Sequence, residues 1–117
     1  MKLVVAGGRD FTDMFYMGQC LFNLQQSGVI PEEPELVCGM ARGADMTAHK
    51  IWTKGDAIIH EFPADWSTGR GAGFVRNSQM AHFADAAVCF WDQQSRGTSH
   101  MISQMAMLNK PCWVFNY

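Results

Sequence analysis

A chain of 117 residues, 48% apolar and 17% charged, has the make-up of one ordinary globular domain spanning 1–117, and no polar, Pro-rich or single-charge run marks a disordered tail. Nine Lys and Arg against 11 Asp and Glu give a formal net charge of −2. That balance lacks the basic excess that drives sequence-independent binding to a phosphate backbone, so extended nucleic acid is not an expected partner, whereas a small anionic ligand is.

The apolar start Met1–Ala6 is too short for a signal sequence, and no run reaches membrane-spanning length, so a cytoplasmic protein with no membrane partner is expected. Short β-branched runs then alternate with amphipathic stretches of helical length, the rhythm of βαβ units and a parallel sheet. The pattern predicts strands over Lys2–Ala6, Leu36–Cys38, Ala57–Phe62, Ala86–Trp91 and Cys112–Phe115. Between them it predicts helices over Asp13–Ser27, Ala44–Lys54, Ala72–Phe83 and Ser99–Leu108. Met14, Met17, Leu21 and Leu24 share one helical face, and Gly28, Gly55 and Pro111 stand where helices end. The expected fold class is α/β: a Rossmann-like three-layer sandwich around a five-stranded parallel sheet, in the order 3-2-1-4-5. Cys20, Cys38, Cys89 and Cys112 sit in apolar segments with no Cys-x-x-Cys pair, and His49, His60, His82 and His100 share no ligand spacing. Free buried thiols, no metal and no cofactor are therefore expected.

In such a sheet, ligands bind beyond the carboxyl ends of the strands, where helix N-termini offer free amides and a positive dipole. The strand-to-helix loops carry Gly7, Gly8, Arg9 and Asp10, then Gly39, Arg42, Gly43 and Asp45, then Asp65 and Trp66, and finally Asp92, Ser95, Arg96, Gly97 and Thr98. All five arginines (Arg9, Arg42, Arg70, Arg76, Arg96) fall in these loops or just after them, while Lys2, Lys50, Lys54 and Lys110 fall toward the opposite edge. Arginine's planar fork grips phosphate bidentately, so the segregation points to an anion site at the loop edge. Dipole-favoured lysines at helix C-termini explain part of it. Trp66 suits stacking on a base, whereas Trp91, ending a buried strand with Phe90, suits the core better. Neither a Walker loop nor Gly-x-Gly-x-x-Gly is present.

Five ordered blocks carry a resemblance. They are Gly7-Gly8-Arg9-Asp10-Phe11, Gly39-x-x-Arg42-Gly43-Ala44-Asp45, Phe62-Pro63-Ala64-Asp65-Trp66, Arg76-Asn77-x-x-Met80, and Phe90-Trp91-Asp92 with Ser95-Arg96-Gly97-Thr98-x-His100. In these the chain resembles the SLOG superfamily, the Rossmann-like group that includes DprA and the LOG phosphoribohydrolases, and especially its YspA/YpsA-like branch. The resemblance implies a nucleotide-derived ligand over the Gly-rich loops, with Gly97-Thr98 as the phosphate-binding turn and Arg76 and Asn77 at the site. LOG enzymes follow Gly-Thr-x-x with a glutamate that assists glycosidic cleavage; here Met101 stands in its place. A thioether neither transfers a proton nor stabilises an oxocarbenium ion.

The expected function is binding of a phosphate-bearing nucleotide or derivative by a sensor, carrier or sequestering protein. One alternative is an N-glycosidic hydrolase of nucleoside monophosphates, using Arg76, Asp92 and His100, with its acid drawn from Asp10, Asp45 or Asp92. The other is an interaction module with a vestigial cleft. Domains of this kind often pair through helices, so a homodimer is also an expectation.

Overall fold

The computed structural model describes residues 1–117. Its strands are β1 (Lys2–Gly7), β2 (Glu35–Cys38), β3 (Ile59–Glu61), β4 (Ala86–Trp91) and β5 (Cys112–Asn116), and its helices are α1 (Met14–Gln26), α2 (Ala44–Thr53), α3 (Ala72–Phe83) and α4 (Arg96–Met107). The strands form one parallel sheet in the order β3-β2-β1-β4-β5, the α/β Rossmann-like topology expected from the sequence.

Alternation along the central strand sorts the core into two layers. Leu3 and Val5 face α1 and α2, packing with Met17, Leu21, Leu24, Ala48 and Trp52. Val4 and Ala6 face α3 and α4, packing with Met80, Ala81, Met101 and Met105. Both faces are covered, which is why β4 (AAVCFW) reads as a continuous apolar run and is buried along nearly its whole length. Complete burial of Leu3, Leu36 and Val88 contributes roughly 1.5–3 kcal/mol each.

The differences from the sequence reading have local causes. β3 is three residues rather than six, because this edge strand pairs only with short β2, through Leu36–Ile59, Val37–His60 and Cys38–Glu61. α4 begins at Arg96 rather than Ser99: Ser95 caps it, its hydroxyl accepting from the Thr98 amide at 3.4 Å. Gly97 and Thr98 thus lie in a helix's first turn, not in a loop. A 3-10 turn at Trp66–Thr68 was not foreseen; Asp65 caps it, accepting from the Ser67 amide at 3.2 Å. At the far edge, Lys110 Nζ donates to the carbonyls of Ala81, His82 and Ala84 at 2.8, 2.9 and 2.7 Å, closing the end of α3.

The four cysteines are free. The Cys89 and Cys112 sulfurs approach to 3.9 Å, but Cys89 pairs with Val114 and Cys112 with Ala87. That diagonal, one strand spacing of about 4.8 Å by two residues of about 3.3 Å each, separates Cα atoms by roughly 8 Å, beyond the span of a disulfide. No helix is long and apolar enough to cross a membrane.

Candidate functional site

From β1 the chain steps through α1 and α2 to β2 and β3, then returns on the opposite face through α3 to β4. The connections diverge between β1 and β4, and this switch point opens a crevice past the strand ends. A cleft of about 770 Å³ lies there, within the range of about 300–1,000 Å³ that holds a small ligand.

Most of the residues singled out from the sequence meet on its walls. Gly7, Gly8, Arg9 and Asp10 line it from the end of β1, Arg42 and Asp45 from the start of α2, and Trp66 from the 3-10 turn. Arg76 and Asn77 form its floor from α3, and Asp92, Ser95, Gly97 and Thr98 close it from the end of β4 and the head of α4. Gly39, Gly43, Asp65, Arg96 and His100 lie outside these walls. Gly39 lines the adjoining hollow, Gly43 packs against Gly8 and Arg9, Asp65 caps the 3-10 turn, Arg96 is exposed at the head of α4, and His100 stacks on Phe74 with centroids 4.3 Å apart. Trp91 is structural, its indole N–H donating to the Ser95 carbonyl at 3.1 Å.

Arg76 is the central group. It occupies the buried stripe of α3, which runs Ala72, Arg76, Asn77, Met80 and Ala81, and it is only 9% exposed. Nε donates to Asn77 Oδ1 at 3.0 Å and Nη1 to the Gly39 carbonyl. Asn77 Nδ2 continues the bridge to the Gly97 carbonyl at 3.2 Å. These bonds tie the ends of β2, α3 and α4 together under the cleft. Neither of the chain's ion pairs, His49–Glu61 and His60–Glu35, involves Arg76. Burial pulls its pKa down, and the charge of Asp45 only partly restores it.

Asp45 lies across Gly39 from Arg76. A Cβ built on Gly39 would stand 2.8 Å from Asp45 Oδ2 and 2.9 Å from Arg76 Nη1, so only glycine lets both groups settle against the strand end. Asp45 accepts the Ala41 amide at 3.2 Å and is 6% exposed. Burial pushes its carboxyl up to about 6, against the opposing pull of the Ala41 amide, Arg76 and Arg9. Asp92 is its opposite: the amides of Gln94 and Ser95, each at 2.8 Å, hold it below the usual carboxylate range.

Several glycines have packing reasons rather than ligand reasons. Gly43 has φ +83°, and a Cβ there would fall 2.4 Å from the Gly8 carbonyl oxygen, against which the Ala44 amide docks at 3.1 Å. A Cβ on Gly8 would strike the Tyr117 hydroxyl.

Sequence reasoning left Arg70, Phe74 and Tyr117 out of the site. Arg70 and Phe74 line the cleft, and the arginine segregation already held the signal for Arg70. Tyr117 donates to Asp10 Oδ1 at 2.6 Å, and burial and this bond raise its hydroxyl's pKa. No local pattern announces a contact between residues 107 apart.

No protein-family model matches the chain, and no curated protein matches its sequence. Among solved structures it superposes on DNA processing protein A (DprA) from Helicobacter pylori, with a TM-score of 0.67 over 97% of this chain. The fold is DprA-like. Identity is 18%, so the likeness is one of fold, and the match takes in 64% of the longer chain.

That structure describes a single-stranded DNA binding mode, and it corrects one expectation. Net charge excluded extended nucleic acid as a partner, yet a DprA-like fold serves a protein that binds it. The physical reason is that a total of −2 says nothing about distribution: Arg9, Arg42, Arg70 and Arg76 all line one cleft of this domain.

Proposed function

We propose that the cleft binds the phosphate of a nucleotide, whether free, derivatised or part of a strand. One observation carries the reading: Arg76 is a buried guanidinium with no carboxylate in ion-pair contact, and Nη2, its one nitrogen without a protein partner, is left for the cleft. An unpaired buried charge is costly, and an anion at this position offsets that cost. Arg9, Arg42 and Arg70 add charge on the walls, and α3 and α4 begin beside the cleft with no acid in their first turns. Residues 1–117 then serve as one nucleotide-binding domain. The five motif blocks surround this cleft, which supports placing the chain with the YspA/YpsA-like branch of the SLOG superfamily.

Binding without turnover is the reading we adopt, because Met101 lies buried on the cleft floor where LOG enzymes carry a glutamate. One observation favours the second reading, N-glycosidic hydrolysis: Asp45, with its carboxyl pushed up to about 6, faces the cleft as a potential proton donor.

Calorimetry with nucleoside monophosphates and a single-stranded oligonucleotide tests binding. Arg42→Ala and Arg70→Ala should each weaken it by about 1.5–3 kcal/mol, the loss of a charge-assisted hydrogen bond. Lys54→Ala, on the far edge, should change nothing. Absence of heat with every ligand, or equal losses for the lysine and arginine variants, refutes the localised site. Arg96→Ala separates a ligand confined to the cleft from one that runs out past α4. Release of free base on long incubation, abolished by Asp45→Asn, would put hydrolysis first.

A further inference from the structure

The cleft continues past Arg76. A second hollow of about 550 Å³ lies over the ends of β2 and β3, and it shares Arg9, Ala41, Arg42, Trp66 and Arg76 with the first. What it adds is Gly39, Met40, Pro63 and Ala64.

The two hollows differ in charge. Four arginines and three aspartates (Asp10, Asp45, Asp92) line the first, whereas three arginines and no carboxylate line the second. Those three arginines are the shared ones, so an anion is held best at the boundary, with Asp10 and Asp92 to one side and Asp45 behind Gly39. Beyond the boundary on that side are hydrogen-bond acceptors: Asp92 spends Oδ1 on two amides and keeps Oδ2 free, and Asp10 accepts only the Tyr117 hydroxyl. Such groups suit sugar hydroxyls. On the other side lie Met40, Pro63 and Ala64, and the boundary itself carries the indole of Trp66, which is 55% exposed, with Arg9 above its ring at 6.0 Å and its edge toward Gly73. Those surfaces suit the face of a base.

We propose that the site takes a ligand with a nucleoside on each side of its phosphate: one sugar toward Asp10 and Asp92, the phosphate at Arg9, Arg42 and Arg76, and the second base in the hollow of Met40, Pro63 and Ala64 that Trp66 borders. This rests on the reading above that the cleft binds nucleotide phosphates, and it adds a second nucleoside site. The shared chemistry is two nucleosides joined through phosphate, found in a soluble pyrophosphate-linked dinucleotide and in adjacent residues of a strand.

The test compares a nucleoside monophosphate, a pyrophosphate-linked dinucleotide and a phosphodiester-linked dinucleotide by calorimetry, on the natural protein and on Ala64→Trp, which fills the second hollow. One dinucleotide should bind about tenfold or more tighter than the monophosphate, the scale of one base stacked on an aromatic ring. Which one gains distinguishes the soluble ligand from the strand. Ala64→Trp should erase the gain and leave monophosphate binding unchanged; Ala64→Leu repeats the test should the larger side chain impair folding. If the monophosphate binds but neither dinucleotide improves on it, or if Ala64→Trp weakens all three alike, the second nucleoside site is wrong and the phosphate site stands. If nothing binds, both readings fall.

Discussion

Asp45→Asn should stabilise the domain at neutral pH and remove a pH dependence that the natural protein carries. The carboxyl titrates near 3.8 in the unfolded chain and about 6 in the folded one. Between those values the folded state holds more protons, so stability falls as pH rises from about 4 to about 6 and stays reduced above. A difference of about 2 pH units corresponds to about 3 kcal/mol. Asparagine keeps the shape and can still accept the Ala41 amide while carrying no charge to bury. His100 works in the opposite sense, since burial depresses its pKa and stability is lost as pH falls through its unfolded value near 6.5. The difference between variant and natural protein is therefore the clean quantity. Urea unfolding should place the two close together near pH 4, with the variant ahead by about 3 kcal/mol at pH 7.5, or about 1–3 M in midpoint. A difference independent of pH, or a variant less stable at pH 7.5, would refute the assignment of a desolvated buried carboxylate.

Gly43→Ala should destabilise the fold severely, because the added methyl meets the Gly8 carbonyl at 2.4 Å in a backbone region that L side chains avoid; a soluble variant with an unchanged thermal midpoint would contradict this. Lys110→Met keeps the stem but leaves the Ala81, His82 and Ala84 carbonyls without their ammonium. It should cost about 1–3 kcal/mol and lower the thermal midpoint by several degrees, with nucleotide binding unchanged.

The topology was legible because each central strand is a β-branched or alanine-rich run and each helix has a bounded apolar stripe. Boundaries failed where a short-range capping choice decided them. Ser95, read as a loop residue, caps α4, and β3 lost half its expected length because its partner offers only three pairing positions. Arg76 and Asp45 were marked by motif, but their sharper signal is periodic: each sits on the buried stripe of its helix, Arg76 four residues after Ala72 and before Met80, Asp45 three before Ala48 and seven before Trp52. A charge at a core position of an amphipathic pattern costs stability unless something pairs with it. Tyr117 on Asp10 and the seam of Gly8 against Gly43 escaped, since both join residues far apart in sequence.

The misjudged partner class follows from using a sum where a distribution was needed. Lysines here serve the fold: Lys110 closes α3, and Lys2 lies over the Phe83 ring at 4.3 Å. Four arginines, by contrast, surround one crevice, and the aspartates that cancel them in the total are held apart by their own partners, Asp92 by two amides and Asp10 by Tyr117. The third, Asp45, meets the crevice partly protonated near pH 6, so the carboxylate nearest Arg76 is the one that yields its charge most readily. Bringing a phosphate to Arg76 raises the electrostatic cost of an ionised Asp45 and favours its neutral form. The local field can thus favour an anion even though the whole molecule is negative.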